Sequence, residues 1–183
     1  MSQPANTRAR IQEVAIELFT ECGYDATSLR EIAERLGVTK AALYYHFKSK
    51  DEIIRSLVED HVRGIEELVA WGQTQPRSVE TRQELIRRYV ANLHGRFNLM
   101  KVMRFLERNQ TSIQQNEAGL RMRDLMIELL GLLQEEGDPP TVQVRRSLAV
   151  LALHSAWLTL RDAQISDDER NAAALEVALE LVA

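Results

Sequence analysis

Residues Leu29 to Lys50 read LREIAERLGVTKAALYYHFKSK. Two short amphipathic segments flank one glycine. Leu29, Ile32, Ala33 and Leu36 recur at helical spacing before Gly37, and Leu43 and Phe47 do so after it. Ser28 followed three residues later by Glu31 is a capping box that opens the first segment. Thr39 can cap the second. Gly37 supplies the positive φ that a tight turn requires. Ala33 is small enough for the second helix to cross the first closely. The spacing therefore predicts two short helices joined by Leu36-Gly37-Val38-Thr39, with Ile32, Leu36, Val38 and Leu43 facing inward.

Outward from this stretch the chain reads as helix throughout its 183 residues. A first helix is expected from about Thr7 to Cys22, with Ile11, Val14, Ala15, Leu18 and Phe19 on one face and Gly23 as its stop. Ser49 and Glu52 form a second capping box, which opens a long fourth helix ending near Trp71. Helices follow from about Val79 to Phe97, Glu117 to Glu136 and Thr141 to Ile165, with a less regular stretch between Asn98 and Asn116. Ser166 and Glu169 form a third box before a last helix to Ala183. The expected fold is all-α, with roughly nine helices. Residues 1–50 form a three-helix domain and 51–183 a larger helical domain.

Composition narrows the classes. Hydrophobic residues at 45% and charged residues at 27% describe a globular chain rather than a disordered one. No apolar run approaches the roughly 20 residues that span a bilayer, and no signal peptide is visible. The single cysteine, Cys22, cannot close an internal disulfide, which points to the reducing cytoplasm, and a packed position is expected for it. The net charge of −4 does not advertise a nucleic-acid binder. Yet the only charged residues from Val38 to Lys50 are Lys40, Lys48 and Lys50. A basic stripe on an acidic body still attracts phosphates, because only the stripe lies within a Debye length of them.

The helix-turn-helix with that stripe points to DNA. Its second helix exposes Thr39, Lys40, Ala41, Ala42, Tyr44, Tyr45 and His46, and its amino end suits the major groove. Lysine can donate to guanine O6 and N7, and alanines can touch thymine methyls. Tyrosine hydroxyls, the imidazole and Lys50 suit phosphate oxygens. Residues Ala15 to Leu57 also resemble the DNA-binding domain of the tetracycline-repressor (TetR) family. The resemblance rests on Ala15-x-x-Leu18-Phe19, Gly23-Tyr24-x-Ala26-Thr27-Ser28, Ile32-Ala33, Leu36-Gly37-Val38-Thr39-Lys40, Leu43-Tyr44-Tyr45-His46-Phe47 and Lys48-Ser49-Lys50-Asp51-Glu52-Ile53. It implies that Arg30, Thr39, Lys40, Tyr44, Tyr45, His46 and Lys50 contact operator DNA, with Ala41 and Ala42 facing bases. It covers about the first third of the chain.

Beyond that third, residues Ser147 to Leu160 contain no Asp, Glu, Lys or Arg, and the last helix carries two apolar stripes. One stripe of each helix can close the monomer and the other needs a partner, which implies a homodimer through a four-helix interface. Leu151, Leu158, Leu175, Ala178, Leu179 and Val182 are its candidate residues. Met100, Met103, Met122 and Met126 with Phe97 and Trp157 are candidate liners of a cavity for an apolar or weakly polar effector. His94, Arg104 and His154 are its candidate polar contacts. No cofactor or metal is expected and no catalytic cluster is visible. The reading is a homodimeric repressor released from its operator by a small molecule. Its rivals are a helical small-molecule enzyme and a DNA-independent dimerisation module, each retaining a helix-turn-helix.

Overall fold

The computed structural model describes residues 4–93, 117–160 and 162–183, and among them every regular element is a helix. They are α1 (Pro4–Glu21), α2 (Leu29–Leu36), α3 (Lys40–His46), α4 (Lys50–Gln73), α5 (Val79–Leu93), α6 (Glu117–Leu132), α7 (Pro140–Thr159) and α8 (Asp167–Leu181). These eight stand close to the nine expected. Three ends differ from the periodic reading. Helix α1 begins at Pro4, with proline in the first position that tolerates it. Helix α6 stops at Leu132 and α7 at Thr159, short of the expected Glu136 and Ile165.

Packing divides the chain into two compact units, and the division falls within α4, between Val62 and Arg63. Ile53, Ile54, Ser56 and Leu57 on the first turns of α4 are buried as core of the first unit. That core also holds Ile11, Ala15, Phe19, Ile32, Leu43 and Phe47.

The first unit contains a polar joint that periodicity did not reveal. Gln12 is 1% exposed, and its Nε2 donates to Ser56 Oγ at 2.8 Å and Asp60 Oδ2 at 2.9 Å. Ser56 in turn donates to the Ile53 carbonyl at 2.7 Å. A buried amide is tolerated only when its donors are met, and both donors of this one are met by α4. Cys22, expected to be packed, is exposed at the end of α1.

The second unit comprises Arg63–Asn92 and Leu120–Ala183. Helices α7 and α8 pack extensively along each other. Helix α7, which carries no charge from Ser147 onward, turns Ala149, Val150, Leu153 and Ala156 inward, and α8 contributes Ala174, Ala178 and Val182. Two buried arginines tie one end together. Arg82 donates to the Val182 carbonyl at 2.9 Å and pairs with Glu135, while Arg146 pairs with Asp138.

Gln12→Ala removes both side-chain bonds of the α1–α4 joint. The expected cost is about 2 kcal/mol, since partners in a buried polar site lose their donor. Urea denaturation followed by circular dichroism measures it. A variant as stable as the parent contradicts the assigned joint.

Candidate nucleic-acid interface

Local chemistry sets the two short helices before tertiary packing acts. The Ser28 hydroxyl accepts from the Glu31 amide, and the Glu31 carboxylate accepts from the Ser28 amide at 2.7 Å. The Ser28 hydroxyl also donates to that carboxylate at 2.8 Å, and this bond together with the one from the Ser28 amide holds the Glu31 carboxyl below its ordinary range. At the other end of α2, Gly37 has φ +68°. The Gly37 amide donates to the Glu34 carbonyl at 3.1 Å and the Val38 amide to the Ala33 carbonyl at 3.0 Å. This pairing is a Schellman motif, which meets two carbonyls that a helix end leaves bare. Thr39 then caps α3 through Ala42 N at 3.1 Å.

The inner face of α3 is fixed by Leu43 and Phe47, both fully buried. The Arg8 guanidinium lies 4.5 Å from the Phe47 ring centroid, so the arginine covers the end of α3. Of the residues expected inward, Ile32 and Leu43 are fully buried and Leu36 and Val38 half-buried.

The outer face presents Thr39, Lys40, Ala41, Ala42, Tyr44 and Tyr45 to solvent, with His46 half-buried. Tyr45 is 78% exposed and its ring meets that of His46 edge-on at 5.2 Å. The cations are not uniformly available. Lys40 Nζ lies 5.4 Å from the Tyr44 ring centroid, an attraction weak enough to yield to a phosphate or a guanine. Arg30, on α2, is paired with Glu34 at 2.7 Å. Lys48 donates to the Tyr44 carbonyl. Lys50 is half-buried, sits 4.2 Å from the Tyr24 ring centroid and donates to the Tyr24 carbonyl. Tyr24 donates to Asp51 at 2.5 Å. Lys50 thus braces the α1–α2 turn against the start of α4. These contacts of Tyr24, Arg8 and Glu34 arise between elements or along an exposed helix face, where sequence spacing does not show them.

The capping box at α4 is modified. Ser49 Oγ accepts from Glu52 N at 3.1 Å, but the Glu52 carboxylate reaches one residue further back, to Lys48 N at 2.6 Å.

The residues expected to line an effector cavity are only partly described. His94, Phe97, Met100, Met103 and Arg104 lie outside the described residues, as does the Trp157 side chain. Met122, Met126 and His154 are half-buried in the second unit. The last two converge on Tyr89, which the sequence reading did not single out. Tyr89 Oη lies 2.7 Å from His154 Nε2 and 3.9 Å from Met126 Sδ. Burial lowers the His154 pKa and raises that of Tyr89, keeping both neutral at pH 7. A separate open depression of about 670 Å³ is lined by Arg77, Gly131, Gln134, Glu135 and Glu136, none of them an expected liner. Among the described residues no group of His, Cys, Asp or Glu is disposed to hold a metal, and no helix is long and apolar enough to cross a membrane.

The interface residues separate by side. Leu151 and Leu158 are 59% and 64% exposed on α7. Leu175 and Leu179 are half-buried. Ala178 and Val182 are fully buried within the chain, against the expectation that they face a partner. They follow the spacing of Ala174 and form the inner stripe of α8, so the outward apolar residue there is Val177, 47% exposed.

Comparison with known proteins agrees with this geometry. Residues 11–57 match the family described as bacterial regulatory proteins, tetR family. The chain is 37% identical over 59 residues to the HTH-type transcriptional repressor KstR2 of Mycolicibacterium smegmatis, a stretch covering 32% of this chain and 29% of that one. The chain thus matches less than a third of that relative's length. The crystal structure of Mycobacterium smegmatis AmtR superposes with a TM-score of 0.65 at 26% identity, covering 94% of this chain and 84% of that one. A complex of SmeT with triclosan has the same fold, with a TM-score of 0.60 at 23% identity over 96% and 90% of the two chains. Residues 11–57 thus carry the domain that the tetR family of bacterial regulatory proteins shares, and the solved structures share the fold over most of the chain.

Proposed function

We propose that the chain is a sequence-specific DNA-binding transcriptional regulator that acts as a homodimer, represses by occupying operator DNA, and leaves it when a small molecule binds. The observation that carries the reading is the surface of α3. A braced helix presents Lys40, Ala41, Ala42, Tyr44 and Tyr45 outward with no carboxylate on the helix itself. Such a face can enter a major groove, where small side chains permit close approach and Lys40 supplies donors. The likeness to the repressor KstR2 and the tetR-family match support regulation rather than catalysis, and the work belongs in the cytoplasm, where DNA is found.

Arg30, Tyr45 and His46 are proposed to contact the backbone around the groove, with Thr39 and Tyr44 at its edge. Lys50 acts mainly by holding the turn at Tyr24.

Dimerisation is proposed through α7 and α8. Val144, Leu148, Leu151 and Leu158 recur at spacings of four, three and seven residues and are all exposed. That is a coiled-coil-like seam on the side of α7 away from its buried stripe. With Val177, Leu175 and Leu179 it forms an apolar face that a second copy covers by twofold symmetry. An effector is proposed to bind in the second unit; the SmeT complex shows a protein of this fold holding triclosan.

Lys40→Ala is expected to weaken a selected operator by about 1–3 kcal/mol, with the loss concentrated at particular base pairs. Lys50→Ala is expected to lower thermal stability as well as affinity, because it releases the Tyr24 turn. Salt titrations of duplex binding alongside melting curves separate the two. Parent-like binding by Lys40→Ala at every base pair would remove α3 from the groove.

Leu151→Arg is expected to yield a folded monomer, since a buried interface would have to desolvate an unpaired charge. Sedimentation equilibrium checks it. A dimer as tight as the parent's would move the interface elsewhere.

A further inference from the structure

We propose that Tyr89, Asn92 and His154 form a binding site for an uncharged organic molecule that carries a hydroxyl or amide hydrogen-bond donor on an apolar body. The inference rests on the effector-responsive reading above and specifies the chemistry of the effector.

Tyr89 and Asn92 stand three residues apart on α5, and so occupy neighbouring positions on the helix surface. Helix α7 brings His154 to the Tyr89 hydroxyl at 2.7 Å, and α6 brings Met126 Sδ to 3.9 Å from it. Tyr89 is 1% exposed. All four residues belong to the second unit.

The Tyr89 hydroxyl bonds His154 and reaches Met126 Sδ, whereas Asn92 Oδ1 is buried and has no hydrogen-bond partner among the described residues. Buried carbonyl oxygens without a partner are uncommon in native proteins and costly where they occur. An incoming O–H or N–H would satisfy this one.

Gly64 explains why the amide sits where it does. A Cβ at that position would lie 1.7 Å from Asn92 Nδ2. The bare backbone of α4 at Gly64 is therefore the seat on which the Asn92 amide rests. Any larger residue would displace it.

Charge complementarity selects against ions. Among the described residues the cluster contains no carboxylate, ammonium or guanidinium. Charged side chains on the same helices have partners of their own: Arg88 stacks 3.9 Å from the Trp71 ring centroid and bonds Glu84, Arg121 pairs with Glu66, and Arg123 pairs with Asp124. A carboxylate or amine entering the cluster would shed its water with no counter-charge in return. Met126 offers a polarizable, adaptable contact to an apolar or aromatic body.

The test is calorimetric titration of the full chain with four probes on one skeleton: naphthylmethanol, naphthamide, naphthoate and naphthylmethylamine. Methylnaphthalene serves as the probe without a polar group. The two neutral polar probes are expected to bind at least about 100-fold more tightly than the two ions. Tyr89→Phe and Asn92→Leu, checked for native helicity, are expected to weaken the neutral polar probes about 10-fold. Asn92→Leu should leave methylnaphthalene unchanged, which a general loss of structure would not do. Gly64→Ala should reproduce the loss by displacing the amide. Tighter binding of either ion, or no binding of any probe, overturns the proposal. So does parent-like binding by all three variants; release of operator by a probe that binds them unchanged would then keep the effector-responsive reading and remove this site from it.

Discussion

A helix of seven residues does not hold together in water by itself, because too few hydrogen bonds follow its costly first turn. The surface proposed to read DNA is such a helix. Its persistence depends on the complete burial of Leu43 and Phe47, each contributing roughly 1.5–3 kcal/mol of transfer free energy. The Thr39 cap, the Schellman turn at Gly37 and the Arg8 stack on Phe47 add to that anchorage. With the inner face committed in this way, the outer face is free of structural duty. It can carry alanines, a lysine and tyrosines chosen for a partner rather than for the fold.

The same division of labour recurs in the second unit. Helix α7 devotes Ala149, Val150, Leu153 and Ala156 to its own core, while Leu151 and Leu158 stay outside. In the interior, the hydrogen bond between Tyr89 and His154 satisfies part of a buried polar cluster and leaves Asn92 Oδ1 bare. Outward apolar residues and an incompletely satisfied interior are both departures from what a self-contained monomer needs. Each falls where a regulator of this family is proposed to meet a second copy or a small molecule.

What could be read in the sequence was what short-range physics controls. The Ser28 and Ser166 boxes, the Thr39 cap and the Gly37 turn each depend on residues within five positions of one another, and all are present. The identity of α3 followed from them. Features joining distant segments were not legible. Gln12 looks like a solvent-facing residue of an amphipathic helix until Ser56 and Asp60 arrive from 44 and 48 positions away. The contact of Lys50 with Tyr24 likewise joins residues 26 positions apart. Apolar residues lie on two stripes of α8, so periodicity could not say that Ala178 and Val182 belong inside and Val177 outside. Tyr89 was one aromatic in a regular helix pattern, and only the approach of His154 distinguishes it.

The central claim is that the outer face of α3 reads DNA. It is tested most directly by mapping backbone amide chemical shifts while titrating the protein with a duplex selected from a random pool. The largest changes should fall on residues 39–46, with smaller ones at Arg30 and at Ser49 and Lys50. Tight binding of that duplex with α3 amides unmoved and the changes confined to α5–α8 would contradict the account.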